Sequence, residues 1–230
     1  MAATRKTSYT AKLSTSTILD QMLEPVTAVM SREFAETLVK LRADAILLNR
    51  IEELRTKANN GTMTTEEDTE YKDFVEAVDL ISILQARRGR SFDRRPRMDA
   101  SRRDTVRKRA NGSCEYCHVP ELATPFVPFH VEHTIAKQHY VDNTLSNLAL
   151  ACDRCNAYKG PNLASVDPTT GEIVNLFNPR CDEWNEHFQL VDATLRGLSP
   201  KGRTSVHLLQ MNARPRIQLR EEWISSGGIF

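Results

Sequence analysis

Four of the five cysteines fall into two pairs with the same two-residue spacer, Cys114 with Cys117 and Cys152 with Cys155. A thiolate pair on so tight a turn supplies two ligands from one side of a metal, so two such pairs close a tetrahedral structural zinc site. This clip brings the ends of the intervening segment into contact, which few folds permit. The fifth cysteine, Cys181, is left over, and a disulfide framework is the weaker reading. The N-terminus, Met1-Ala2-Ala3-Thr4-Arg5-Lys6, has no apolar signal core behind it, and no apolar run is long enough to span a membrane. A cytoplasmic location, where thiols stay reduced, is the expectation.

Inside the clip lie an acid-histidine pair, Glu132-His133, and an asparagine, Asn147; Asn156 follows the last cysteine directly. Phosphodiester hydrolysis needs a water deprotonated, a pentavalent phosphate neutralised and a leaving oxygen stabilised. Histidine, with an ordinary pKa of ~6.5, suits the first task. One divalent cation on hard ligands serves the other two. Glu132 offers a carboxylate beside the base and Asn156 an amide oxygen. Neighbours on a strand point to opposite faces, so the pair is expected where a strand ends and turns. Plainer roles compete: a salt bridge from Glu132 to Lys137 or Arg154, a structural role for His133, a helix cap at Asn156.

The remaining chain reads as flanking structure. Residues 1–30 are expected to be a mobile tail with a short helix near Thr17 or Asp20. Ser31 and Asp44 are candidate N-caps, Asn59-Asn60-Gly61 a helix stop, and Thr64 with Glu67 a capping box. The following stripe of Tyr71, Phe74, Val75, Val78, Ile81 and Leu84 completes an αα-hairpin module over residues 31–90, each stripe burying the other. Arginines crowd residues 87–109, and residues 91–97 with Pro96 read as a basic linker. Such cations neutralise phosphates without reading bases. Asp99 is a candidate cap for a helix ending at Asn111-Gly112. Phe126 to His133 reads as a strand interrupted by Pro125 and Pro128, then come a loop, a short strand at Leu148 and Leu150, and a helix from Cys155. Downstream, short strands at Ile173–Phe177, Phe188–Val191 and Thr194–Gly197 precede a helix at Thr204–Met211. Arg214, Arg216 and Arg220 form a second basic cluster.

This pattern resembles the HNH endonucleases, in the branch whose ββα-metal core is bound by a four-cysteine zinc. The supporting residues are His130-Val131-Glu132-His133, Gln138-His139, Asn147 to Cys152, Cys155-Asn156, Lys159 to Asn162, Leu176 to Arg180, Trp184, His187-Phe188 and Gly202-Arg203. The resemblance runs from about Met98 to near Arg214. It implies that His133 is the general base and that Asn147, the middle asparagine, steadies the loop carrying it. Asn156 stands in the place of the final histidine, an HNN variant, and ligates the catalytic metal. Glu132 stands where the family has Asp or His as the other ligand. His130, His139, Lys159, Arg180 and His187 are candidate phosphate contacts or extra ligands. Residues 31–90 look like a separate small helical protein of bacteria, so the chain resembles a fusion with Met98 at the nuclease's former start.

The resulting expectation is an α+β protein: a helical module, then an HNH endonuclease domain over 98–230. It would cleave double-stranded DNA with structural Zn²⁺ and catalytic Mg²⁺ or Mn²⁺, without membrane association, and could pair as a homodimer through the N-terminal helices. Two rivals are a non-catalytic zinc module that only binds nucleic acid, and a nuclease toxin restrained by residues 1–97.

Overall fold

A computed structural model of the chain describes residues 29–88 and 101–230. The expected tail and first helix, the linker 91–97 and the Asp99 cap lie outside these residues. The described residues form helices and three small two-stranded antiparallel sheets, an α+β arrangement.

Local signals set the N-terminal boundaries. Helix α1 (Arg32–Lys40) begins where Ser31 Oγ accepts the Phe34 amide. Helix α2 (Ala45–Asn60) begins where Asp44 accepts the Leu47 amide at 2.8 Å. It ends at Gly61, whose φ of 67° is open to glycine at little cost; its amide and that of Thr62 satisfy the terminal carbonyls. Thr64 and Glu67 exchange the two hydrogen bonds of a capping box and start α3 (Thr65–Arg88).

The apolar stripe of α3 does not spend itself on α2 alone. Tyr71 and Val75 join Leu54, Ala58 and Ala157 in one cluster, Val78 joins Ile51, Phe126 and Val127 in a second, and Ile83 enters the main core. A long helix exposes more apolar length than a two-helix hairpin can cover, and the rest of the chain covers it.

Helix α4 (Ser101–Arg109) ends at Asn111 and Gly112, both at positive φ. Strand β1 (His130–His133) is shorter than expected. Pro128 cannot donate to a ladder, so pairing starts after it. β1 pairs antiparallel with β2 (Leu148–Ala151), His133 opposite Leu148 and His130 opposite Ala151. Helix α5 (Asp153–Lys159) follows at once and stops at Gly160. Strand, loop, strand and helix thus come in the expected order.

Two further hairpins follow, β3 (Ala164–Val166) with β4 (Ile173–Asn175), and, after the short helix α6 (Trp184–His187), β5 (Phe188–Val191) with β6 (Thr194–Gly197). Helix α7 (Pro200–Leu208) starts on a Ser199 cap, earlier than the Thr204 start expected. Helix α8 (Arg214–Ser225) occupies the segment read in the sequence as a second basic cluster. Arg216 and Arg220 are buried, because α8 packs along α3 with that face inward. Arg220 donates to the carbonyls of Ala193 and Met211, and burial lowers its pKa to about 10.

Candidate functional site

The two cysteine turns meet as the spacing demands. In the first, the Cys114 carbonyl accepts the His118 amide at 2.9 Å, and His118 takes the positive φ of 58° that the turn needs. In the second, Cys152 precedes α5 and its carbonyl accepts the Asn156 amide at 3.0 Å. The four sulfurs are buried and lie within 4.8 Å of one another. Cys117 Sγ and Cys152 Sγ are 3.8 Å apart, too far for a disulfide. Four sulfurs about 2.3 Å from a central zinc would be separated by about 3.8 Å along each tetrahedral edge. The cradle therefore fits a metal such as zinc. His118 instead stacks on Trp184, with ring centroids 4.1 Å apart.

Arg216 closes this cradle from outside, donating to Cys152 Sγ at 3.3 Å and Cys117 Sγ at 3.6 Å. Four thiolates exceed the charge of one divalent ion, and a buried guanidinium offsets part of the surplus. Asp79 of α3 holds Arg216 at 2.9 Å and Arg154 of α5 also at 2.9 Å. All three side chains are almost wholly buried. The cysteine centre is thus tied to helices from both ends of the chain.

On β1, neighbouring side chains diverge as the pleat requires. Glu132 is fully buried, where Tyr116 Oη donates to Oε1 and Lys159 Nζ to Oε2 at 3.1 Å. Burial, with the Glu132 carboxylate beside it, pushes the Tyr116 hydroxyl well above its ordinary pKa, so Tyr116 stays a donor. Lys159 also donates to the His133 carbonyl at 3.1 Å, binding α5 to the end of β1. The partner of Glu132 is therefore Lys159. Lys137 is not its partner, and Arg154 pairs with Glu76 and Asp79.

His133 lies at the strand end, 8% exposed. Its Nε2 is 2.8 Å from Asn143 Oδ1, while its buried Nδ1 has no hydrogen-bond partner among the described residues. Asn147 laces the intervening loop. Its Oδ1 accepts from Thr134 Oγ1 and the Ile135 amide, each at 2.8 Å; its Nδ2 donates to the carbonyls of Ile135 and Asp142, each at 3.0 Å.

Asn156, one helical turn before Lys159 on α5, donates through Nδ2 to Tyr71 Oη at 3.0 Å. Tyr71 lies 3.3 Å from Asp153 Oδ1, which also accepts from Arg55 Nε at 2.8 Å. Burial, reinforced by the Asp153 charge, holds the Tyr71 hydroxyl protonated far above the ordinary tyrosine range. Glu132, His133 and Asn156 thus sit on adjoining elements, with Glu132 and Asn156 each bonded to a different protein group.

The other candidates are distributed more widely. His130 lies between Asn59, 3.0 Å away, and Glu52, 3.6 Å away, and the imidazole beside it lowers the Glu52 carboxyl pKa to about 2. Lys159 is the buried partner just described. His139 is 2.9 Å from the Pro161 carbonyl. Arg180 pairs with Glu115, and burial lowers its pKa. His187 Nδ1 is 2.6 Å from Ser199 Oγ. Cys181 is an exposed free thiol. On α4, Arg102, Arg103, Lys108 and Arg109 are exposed, and Arg102 reaches the Asn143 carbonyl at 3.4 Å.

Sequence reasoning passed over Asn143, Tyr71, Asp79 and Arg216 as parts of the site. Tyr71 stood in an apolar stripe and Arg216 in a basic cluster, and neither pattern marks a contact across the chain. Asn143 carried no spacing signal.

Residues 114–162 match the family model of the HNH endonucleases. The Septu protein PtuB of Bacillus thuringiensis is 29% identical over 110 residues, covering 47% of this chain. The chain spans only 40% of that relative's length. No solved structure matches the chain. Among the described residues, no helix is long and apolar enough to cross a membrane.

Proposed function

We propose, on the premise that residues 114–162 are an HNH endonuclease domain, that the chain hydrolyses phosphodiester bonds in double-stranded DNA, with His133 as general base. The observation that carries this reading is the state of His133: Nε2 is held by Asn143 and Nδ1 is left without a protein partner. An imidazole fixed by one nitrogen, with the other left unpartnered, keeps one nitrogen available to take a proton from water.

Structural zinc on Cys114, Cys117, Cys152 and Cys155 is part of the proposal. The sulfur spacing supports it, and the ion would hold the two turns together beneath β1 and α5. The second proposed ion is Mg²⁺ or Mn²⁺ on Glu132 and Asn156, and when bound it supplies neutralisation of the phosphate and of the leaving oxygen. Asn156 suits this role, because its Tyr71 bond uses Nδ2 and its oxygen is the other branch of the amide. Glu132 fits only if its carboxylate exchanges the Lys159 ammonium for the ion. The exposed cations of α4 would hold the backbone phosphates.

The test is nicking of supercoiled plasmid by the full chain with Mg²⁺ or Mn²⁺. Wild-type protein is expected to cleave, and His133→Ala to lose cleavage while retaining zinc. Cleavage undiminished in that variant would remove the general-base assignment. Salt-dependent binding with no cleavage in any divalent ion would favour the nucleic-acid-binding rival.

A further inference from the structure

A base that must take a proton from water is useful only if the right ring nitrogen is bare. In neutral imidazole one nitrogen carries hydrogen and the other a lone pair, and the partner of the first decides which is which. At His133 that partner is the side-chain oxygen of Asn143, 2.8 Å from Nε2. An oxygen acceptor demands a hydrogen on Nε2, which leaves the lone pair on Nδ1. Nδ1 is buried and has no partner among the described residues.

Asn143 is itself exposed, so its position must come from its loop. Asn147 ties the Asp142 carbonyl to Ile135, closing the two ends of that loop. Asp142 Oδ1 accepts the Thr144 amide at 2.8 Å, fixing the turn on the far side of Asn143. From α4, Arg102 donates to the Asn143 carbonyl. Backbone restraints therefore bracket Asn143 on both sides and aim its side chain at His133. The same bonds give Asn147 a route to the base: it orders the loop, and the loop presents Asn143.

We propose that Asn143 is a positioning residue that locks His133 in the Nε2–H tautomer, making Nδ1 the nitrogen that takes the proton. The tautomer follows from the Asn143 amide presenting its oxygen to Nε2; its use in hydrolysis rests on the nuclease reading above. There, the proton of the attacking water passes to Nδ1 as the new O–P bond forms and the leaving P–O bond breaks. The leaving oxygen is then protonated from solvent. Arg102, on the phosphate-facing helix, ties the placement of the base to the surface proposed to hold the backbone.

The experiment is long-range proton–nitrogen NMR of histidine-labelled full-length protein loaded with zinc, at a pH of about 8 where histidine is ordinarily neutral. The His133 signals are assigned by their loss in His133→Ala. The expected pattern is one tautomer, hydrogen on Nε2. Asn143→Leu, close in size but without an acceptor, is expected to populate the other tautomer and to lower kcat for plasmid cleavage at least about tenfold with KM little changed. Asn143→Asp keeps an acceptor oxygen and is expected to restore the tautomer and to recover activity relative to the leucine variant. Hydrogen on Nδ1 in the wild type, or a single unchanged tautomer in Asn143→Leu, would overturn the proposal. A wild type with the expected tautomer that cleaves nothing would support the assignment at His133 and remove the nuclease reading instead.

Discussion

Tyr71 Oη accepts a hydrogen bond from Asn156 Nδ2 at 3.0 Å, joining residues 85 positions apart. One lies on the long N-terminal helix, the other directly after the last cysteine of the HNH segment. The N-terminal helices therefore contribute to the site's immediate surroundings, and their removal alters more than a regulator. Residues 98–230 alone would lose Tyr71, Asp79 and Ile83 together, leaving Arg154 and Arg216 buried without their carboxylate. The expected outcome is a fragment that expresses poorly or unfolds at low urea. A stable fragment with higher activity than the full chain would instead favour the restrained-toxin reading.

Tyr71→Phe isolates the hydroxyl from the bulk of the helix. The ring still fills its cavity, but Asn156 Nδ2 loses its acceptor. An unsatisfied buried donor costs about 1–3 kcal/mol. Urea unfolding is expected to show a loss in that range, with zinc content unchanged.

Asp79 is the larger liability. It is the shared carboxylate between Arg154 and Arg216, and Arg216 in turn donates to two of the cysteine sulfurs. Removing one partner from a buried ionic cluster costs about 3–5 kcal/mol. Asp79→Ala is expected to lose stability on that scale and to release zinc faster to a chromogenic chelator, because Arg216 is then free to turn from the sulfurs. Wild-type zinc release in a destabilised Asp79→Ala would separate the two roles.

Much of this architecture was readable because its causes are local. Ser31, Asp44, the Thr64–Glu67 box and Gly61 each act within one turn, and each works where the sequence places it. The cysteine spacing and the strand-to-helix order of the HNH segment are also short-range patterns. The missed contacts are long-range. Arg216 and an arginine on α4 look alike in a sequence; α8 packing along α3 buries the first and leaves the second in water. Glu132 adjoins His133 in the sequence, yet its partner Lys159 comes from another element. Which residue meets which across a core depends on the three-dimensional closure of the chain, and no spacing rule encodes it.

Stability should respond to acid through Asp167. Arg203 donates to it through Nε at 3.1 Å and Nη2 at 2.6 Å, joining α7 to the end of β3. These bonds, with the Thr169 amide, hold its carboxyl below the ordinary carboxylate value. A depressed folded pKa means the unfolded chain takes up the proton first. The stabilisation is complete above the ordinary value of about 3.9 and is lost as pH falls through the lower folded one. The Tm difference between wild type and Arg203→Met is expected to be constant from neutral pH down to about 5 and to shrink below about 4. A difference independent of pH would assign the Arg203 effect to packing instead.

The Glu132–Lys159 pair offers the sharpest test of the proposed second ion. Both side chains are buried, 1% and 3% exposed, so replacing Lys159 with methionine leaves a carboxylate with no cation beside it. The expected loss is about 3–5 kcal/mol. That hole discriminates between two roles for Glu132. If the carboxylate can hold a divalent ion, Mn²⁺ binds the folded variant in preference to the unfolded chain and raises its Tm with concentration, following mass action. The wild type, whose lysine competes for the same oxygen, should respond less, and Lys159→Met with Glu132→Gln should not respond. Equal or absent Mn²⁺ responses in all three proteins would show that Glu132 anchors Lys159 and the end of β1, and would move the search for the catalytic ion's ligands elsewhere.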